Sequence, residues 1–101
     1  MSRVRISPRA KADLDEIWTY IAQRNEQAAD RLVDRITERC EMLGRQPMIG
    51  ESVGEISPGF RCVSLGNYVI YYEFEADTVR IRRVVHGARD LSQFFGPQEQ
   101  P

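Results

Sequence analysis

The chain has 101 residues, 42% hydrophobic and 29% charged, with fourteen Lys plus Arg against fifteen Asp plus Glu. That length fits one domain with a modest core, and so small a core leaves room for a permanent partner to add stability. The net charge of −1 argues against a protein whose main contact is nucleic-acid backbone, because neutralising phosphates calls for a strong basic excess. No run approaches the roughly 18 apolar residues of a membrane span, and the start MSRVRISPRA lacks the apolar core of a signal peptide. A cytoplasmic protein without a membrane contact is expected, in which Cys40 and Cys62 stay reduced. Two Cys and one His cannot build a structural zinc site, and no metal or cofactor is expected. Thirteen of the fourteen cations are Arg, with Lys11 the one lysine, a composition suited to bidentate carboxylate pairing at protein interfaces.

In chain order, Arg3–Ile6 reads as a short strand. Ser7-Pro8 supplies an N-cap followed by Pro at the first helical position. Ala10, Leu14, Ile17, Trp18 and Ile21 then keep the helical period, with Arg9, Lys11, Asp13, Asp15 and Glu16 mostly off that stripe. This helix is expected to end near Arg24. Asn25 caps a second one, whose stripe is Ala29, Leu32, Val33, Ile36, Cys40 and Leu43 and which Gly44 through Pro47 terminates. The short connection predicts an antiparallel helical hairpin.

Residues 48–58 carry two Gly and a Pro without period and read as a loop. Strands follow at Phe60–Leu65, Tyr68–Phe74 and Val79–Val85, joined by turns at Gly66-Asn67 and Ala76-Asp77. Tyr68, Ile70, Tyr72 and Phe74 share one face of their strand, opposite Val69 and Tyr71. A short helical turn is expected over Arg89–Phe95, and the tail GPQEQP, residues 96–101, reads as disordered. The whole predicts an α+β domain over residues 1–95: an N-terminal strand, then an antiparallel helical hairpin packed on an antiparallel sheet, then a short C-terminal helix.

Three features compete for function. Arg31, Arg35 and Arg39 form a basic stripe on the second helix beside Asp30, Asp34 and Glu38. It is either a docking surface or a solvated face of ion pairs, the more ordinary outcome. In VRIRRVVH, strict alternation sets Arg80, Arg82, Val84 and His86 against Val79, Ile81, Arg83 and Val85. Arg83 thus interrupts an apolar face and calls for a carboxylate, a cluster of carbonyls or a route to water. His86, the one histidine, is either a general base or a residue bonding backbone at a strand exit, and the second is the commoner role.

Three stretches, ISPRAKADLDEIWTYIA, PGFRCVSLGNYVIYYEF and VRIRRVVHGARDLSQFF, taken together resemble the ParE/RelE superfamily of bacterial type II toxin–antitoxin toxins. The resemblance runs from Val4 to Phe95 and implies a helical hairpin on an antiparallel sheet. RelE-like members cleave mRNA on the ribosome with basic side chains and a Tyr or His; ParE-like members stabilise the cleaved-DNA state of DNA gyrase and block replication. HGARD after the last strand looks more like ParE. Val69 stands where the nucleases usually carry an Arg, Phe95 where they often carry a Tyr, and the loop before the central strands has no Lys. Phosphate chemistry without those cations lacks charge stabilisation in its transition state.

The expectation is therefore a non-enzymatic gyrase inhibitor neutralised by a ParD-like antitoxin, without strong nucleic-acid binding of its own. Two readings compete with it: a ribosome-dependent endoribonuclease, and an inactive homologue that serves only as the antitoxin's partner. Candidate target contacts are Arg61, Arg83, His86, Arg89, Asp90, Phe94 and Phe95. In the nuclease reading His86, Arg89 and Arg61 would be catalytic. The resemblance also implies an antitoxin that lays a helix along the hairpin and extended chain near the sheet. Its candidate contacts are Trp18, Tyr20, Arg31, Arg35 and Arg39, with the monomer's own core as the competing place for Trp18.

Overall fold

The computed structural model describes residues 2–54 and 58–87. Its elements are β1 (Arg3–Ile6), α1 (Pro8–Ala22), α2 (Glu26–Arg45), β2 (Glu51–Ser52), β3 (Phe60–Leu65), β4 (Tyr68–Glu75) and β5 (Thr78–His86). The five strands form one sheet in the order β1-β5-β4-β3-β2. The expected C-terminal helical turn over Arg89–Phe95 and the tail from residue 96 lie outside the described residues.

Both helices begin where the sequence signals them. The Ser7 hydroxyl accepts the Ala10 N–H at 3.0 Å ahead of Pro8, and the Asn25 side chain accepts the Ala28 N–H at 3.0 Å. α2 ends at Arg45, within the stretch from Gly44 through Pro47 expected to terminate it, and Gly44 itself is still helical. It lets the helix approach β1: a Cβ there would meet Val4 Cγ2 at 2.7 Å, and the Gly44 carbonyl accepts the Ser2 N–H at 2.8 Å.

The sheet is mixed. β5, β4, β3 and β2 run antiparallel to their neighbours, but β1 lies parallel to β5, with Arg3 opposite Thr78 and Ile6 opposite Ile81. A parallel neighbour needs a long crossover, and here everything from α1 to β4 lies between the two strands. β2 falls inside the stretch expected to be a loop; two residues, Glu51 opposite Cys62 and Ser52 opposite Arg61, are too short to carry a readable period.

The main core lies between the hairpin and one face of the sheet. Ala10, Ile36, Cys40 and Leu43 from the helices meet Ile70, Tyr72, Val79, Ile81 and Val84. The opposite face carries Phe60, Tyr71 and Val85, with Val53, Cys62 and Val69 packed against them. The split of β4 follows the predicted alternation, but that of β5 does not. Tyr72 pairs with Ile81 and Tyr71 with Arg83, so Arg82 is an extra residue, a β-bulge. It shifts the period by one, moving Val84 into the main core and Val85 to the other face, the reverse of the strict alternation expected.

Candidate functional site: a groove beside the end of the last strand

β1 covers the edge of β5 only as far as Ile81. There Ser7 donates its N–H to the Ile81 carbonyl at 3.0 Å and its hydroxyl to the Arg82 carbonyl at 3.2 Å, and the chain turns into α1. One and a half turns into the helix Asp13 faces the uncovered part of the strand, 4% exposed. Its carboxylate accepts Arg83 Nε at 2.8 Å, Arg83 Nη2 at 3.1 Å and the Val84 N–H at 2.9 Å. Arg9 adds a looser contact at 3.9 Å from the surface. The apolar-face Arg83 thus has the carboxylate it called for, in a bidentate fork with a backbone donor alongside. The partner's identity escaped the reading of α1, although Asp13 sits three residues after the buried Ala10 and four before Ile17, within the stripe's own spacing.

Next to this pair an open groove of about 530 Å³ separates α1 from the sheet. Asp13, Glu16, Ile17 and Tyr20 form the helical wall; Tyr68 and residues Arg83 to His86 form the other. Tyr68 and His86 meet edge to face, with ring centroids 5.0 Å apart and an interplanar angle of 73°. Burial, and after it the Tyr20 hydroxyl, push the Tyr68 phenol above its usual pKa. Tyr20 itself is 73% exposed at the groove mouth. The walls are therefore largely aromatic and aliphatic, with exposed Glu16 on the helical side and the Asp13–Arg83 ion pair joining the two.

Of the candidates named from sequence, Arg83, His86 and Tyr20 meet in this groove. Arg61 does not. It reaches the connection between α2 and β2, donating to the Gly50 carbonyl at 2.7 Å and the Met48 carbonyl at 3.4 Å. The Tyr72 hydroxyl completes that clasp, accepting the Gly50 N–H at 2.9 Å and donating to the Pro47 carbonyl at 2.8 Å. Arg61 is opposite Tyr72, which is opposite Ile81, so His86 lies five residues further along β5, about 16 Å at the usual strand rise. Trp18 is half-buried and donates its indole N–H to Asp30 at 2.8 Å, tying α1 to α2. Arg31 and Arg35 are exposed on α2, whereas Arg39 is half-buried and donates to the Ser64 carbonyl of β3 at 2.9 Å. Arg89, Asp90, Phe94 and Phe95 lie outside the described residues.

Residues 4–91, all of this groove among them, match the family model described as the ParE toxin of the type II toxin–antitoxin system parDE. The chain belongs to the ParE toxin family. It is 37% identical over 98 residues to Toxin ParE1 of Caulobacter vibrioides, covering 95% of this chain and 100% of that one. It is also 31% identical over 90 residues to Toxin RelE3 of the same organism, covering 85% and 95%. In fold it is similar, with a TM-score of 0.74, to a chain of the chromosomal ParDE TA system from P. aeruginosa, at 22% identity over 87% of this chain and 98% of that one. This ParE-family chain is thus a ParE-like toxin of a toxin–antitoxin system, built as two helices on a five-stranded mixed sheet.

Proposed function

We propose that this toxin inhibits DNA gyrase by binding, holding the enzyme on cleaved DNA and so blocking replication, and that a ParD-like antitoxin neutralises it. The observation that carries the non-catalytic part is the capture of Arg83 by Asp13 beside His86. Cleavage of RNA by an activated 2′-hydroxyl builds negative charge on the phosphate and wants uncommitted cations around it. The groove instead has two carboxylates, Asp13 and Glu16, in the same lining as His86, with its guanidinium in an ion pair. Arg61, the second cation of a nuclease set, is engaged by loop carbonyls far from His86. An arrangement of this kind is suited to holding a partner. Arg83, His86, Arg89, Asp90, Phe94 and Phe95 are the proposed target contacts; Trp18, Tyr20, Arg31 and Arg35 are those proposed for the antitoxin.

The test is plasmid supercoiling by purified gyrase in the presence of the toxin, with and without its antitoxin. Loss of supercoiling together with accumulating cleaved DNA, reversed by the antitoxin, is expected. Unimpaired supercoiling with folded toxin would overturn the gyrase reading. The similarity to Toxin RelE3 supports a second reading, cleavage of mRNA on translating ribosomes. That reading requires new transcript ends that vanish with His86→Ala.

A further inference from the structure

β1 and β5 carry a band of arginine on the face of the sheet turned away from the helices. Val4 and Ile6 pack against the main core, so by alternation Arg3 and Arg5 point the other way. Val79 and Ile81 belong to that core too, which turns Arg80 outward. Arg82, the bulge residue, shares this side: it pairs with Glu73 at 3.5 Å and lies over the Phe60 ring, its guanidinium carbon 6.0 Å from the centroid. All four arginines are exposed. Arg5 is directly opposite Arg80 in the parallel ladder. Side chains on one face recur about 6.6 Å apart along a strand and about 4.8 Å apart across neighbouring strands, so the four form a compact patch.

The patch is only partly compensated. Like charges on facing strand residues repel, and Arg5 and Arg80 face each other. Glu73 is opposite Arg80, but its ion pair is with Arg82; Glu75 lies further along, opposite Thr78. Among the described residues Arg3, Arg5 and Arg80 form no ion pair. An anion with several charges laid across them would turn the repulsion into attraction. The kind of anion is decided by what else the patch contains. A protein interface is organised round apolar anchors, and the exposed large hydrophobic residues among those described, Tyr20, Met48 and Ile49, are on α1 and in the connection from α2 to β2. Phe60, beneath Arg82, is buried. A phosphodiester backbone needs no apolar anchor, and a guanidinium holds a phosphate through two N–H groups at once.

We infer that the outer face of β1 and β5 seats the sugar–phosphate backbone of duplex DNA, through Arg3, Arg5 and Arg80 with a smaller share from Arg82. The inference rests on the gyrase reading for its choice of duplex DNA and adds a second contact: the toxin touches the DNA that gyrase holds as well as the enzyme. A chain of net charge −1 exerts little long-range pull on DNA, so the contact is weak for the free toxin. It takes effect once gyrase holds toxin and DNA together, at a raised local concentration. Contacts to phosphate position the protein and read no base sequence.

The experiment is a polarisation titration of a short fluorescent DNA duplex with full-length toxin, without gyrase, over a series of salt concentrations. A Kd on the order of 10 to 100 µM is expected at about 50 mM salt, with log K falling against log salt at a slope of about −3. Arg5→Gln together with Arg80→Gln should weaken binding about tenfold or more and bring the slope to about −1. Both positions are exposed, so the variant is expected to fold, and its melting temperature should not drop, since a repulsion is removed. Lys11→Gln with Arg24→Gln, the same change of charge at exposed positions in and just after α1, should bind within about twofold of wild type. With gyrase present, the Arg5 and Arg80 double variant should need about fivefold more toxin for the same cleaved DNA, while its affinity for DNA-free gyrase is unchanged.

No binding of the duplex by toxin at about 1 mM, equal losses from the two double variants, or equal potency of the arginine variant on gyrase would overturn the inference. So would tighter binding to single-stranded RNA of the same length, which would assign the face to RNA. A loss of affinity for DNA-free gyrase in the arginine variant would assign it to protein and overturn it as well. Gyrase that ignores wild-type toxin is a different failure: it removes the gyrase reading itself, and the duplex titration still decides the arginine face.

Discussion

Asp13 holds three donors at once, two from Arg83 and one from the backbone of Val84, in a place nearly closed to water. Removing it would take the carboxylate away from a buried guanidinium and from a strand-edge N–H. Asp13→Ala is expected to destabilise the fold by about 3–5 kcal/mol, measured by urea unfolding at neutral pH; a loss below about 1 kcal/mol would mean that water replaces the carboxylate. Half of this pair is legible in the sequence, because an Arg among Val and Ile on a strand demands a partner. The other half is not, because a helical position on the border of the apolar stripe serves equally well for a solvated carboxylate. Cys40, 2% exposed in the main core, carries the residue-scale pH dependence. Burial, and then the Glu41 charge, push its thiol to about 11 from an ordinary 9.0. The folded state favours the neutral thiol, so its contribution is complete below pH 9.0 and is lost as pH rises through about 11. The alkaline limb of a stability profile should fall by about 2–3 kcal/mol from this group, and Cys40→Ala should flatten it. An unchanged limb in that variant would move the cause to the buried tyrosines, whose phenols burial also pushes up.

Among the elements, the two helices and three long strands follow from caps, periods and turn residues, all of them local signals. The direction of β1 does not, since parallel pairing with β5 depends on where the chain returns after some seventy residues and nothing near Arg3–Ile6 records it. The bulge at Arg82 is equally hidden. VRIRRVV contains no Gly to mark it, so the alternation that works for β4 assigns Val84 and Val85 to the wrong faces of β5. The two hairpin turns differ in chemistry. Gly66 takes the positive φ of the first at 59°, whereas the second uses Ala76 at 52° and Asp77 at 60°. Positive φ at both central residues matches the strand twist but burdens a side chain bearing a Cβ. Ala76→Gly is therefore expected to raise stability by about 0.5–1 kcal/mol, visible as a higher urea midpoint with an unchanged slope. A lower midpoint would show that the added freedom of the unfolded chain outweighs the relief.

The molecule as a whole carries nearly balanced charge, a thin core and a groove where a helix parts from the edge of its sheet. Balanced charge set the expectation of protein partners over nucleic acid, and the groove's mixture of aromatic walls, an ion pair and an exposed carboxylate agrees with it. Arg83, His86 and Tyr20 were each legible as residues worth watching. Their meeting in one place was not, because it depends on β1 stopping at Ile6 and on α1 carrying Asp13 and Tyr20 past the part of β5 that β1 leaves uncovered. The separation of Arg61 from His86 was hidden for the same reason: both lie in the sheet, and only its register sets them apart. An agent that works by holding its target acts in proportion to the target, whereas a catalyst works far below it. Cleaved plasmid should accordingly be titrated against the ratio of toxin to gyrase at fixed gyrase. Action by holding gyrase predicts cleaved DNA that rises with toxin, levels off once gyrase is saturated and is abolished by antitoxin. Full supercoiling at a large excess of folded toxin, with no cleaved DNA at any ratio, would contradict it.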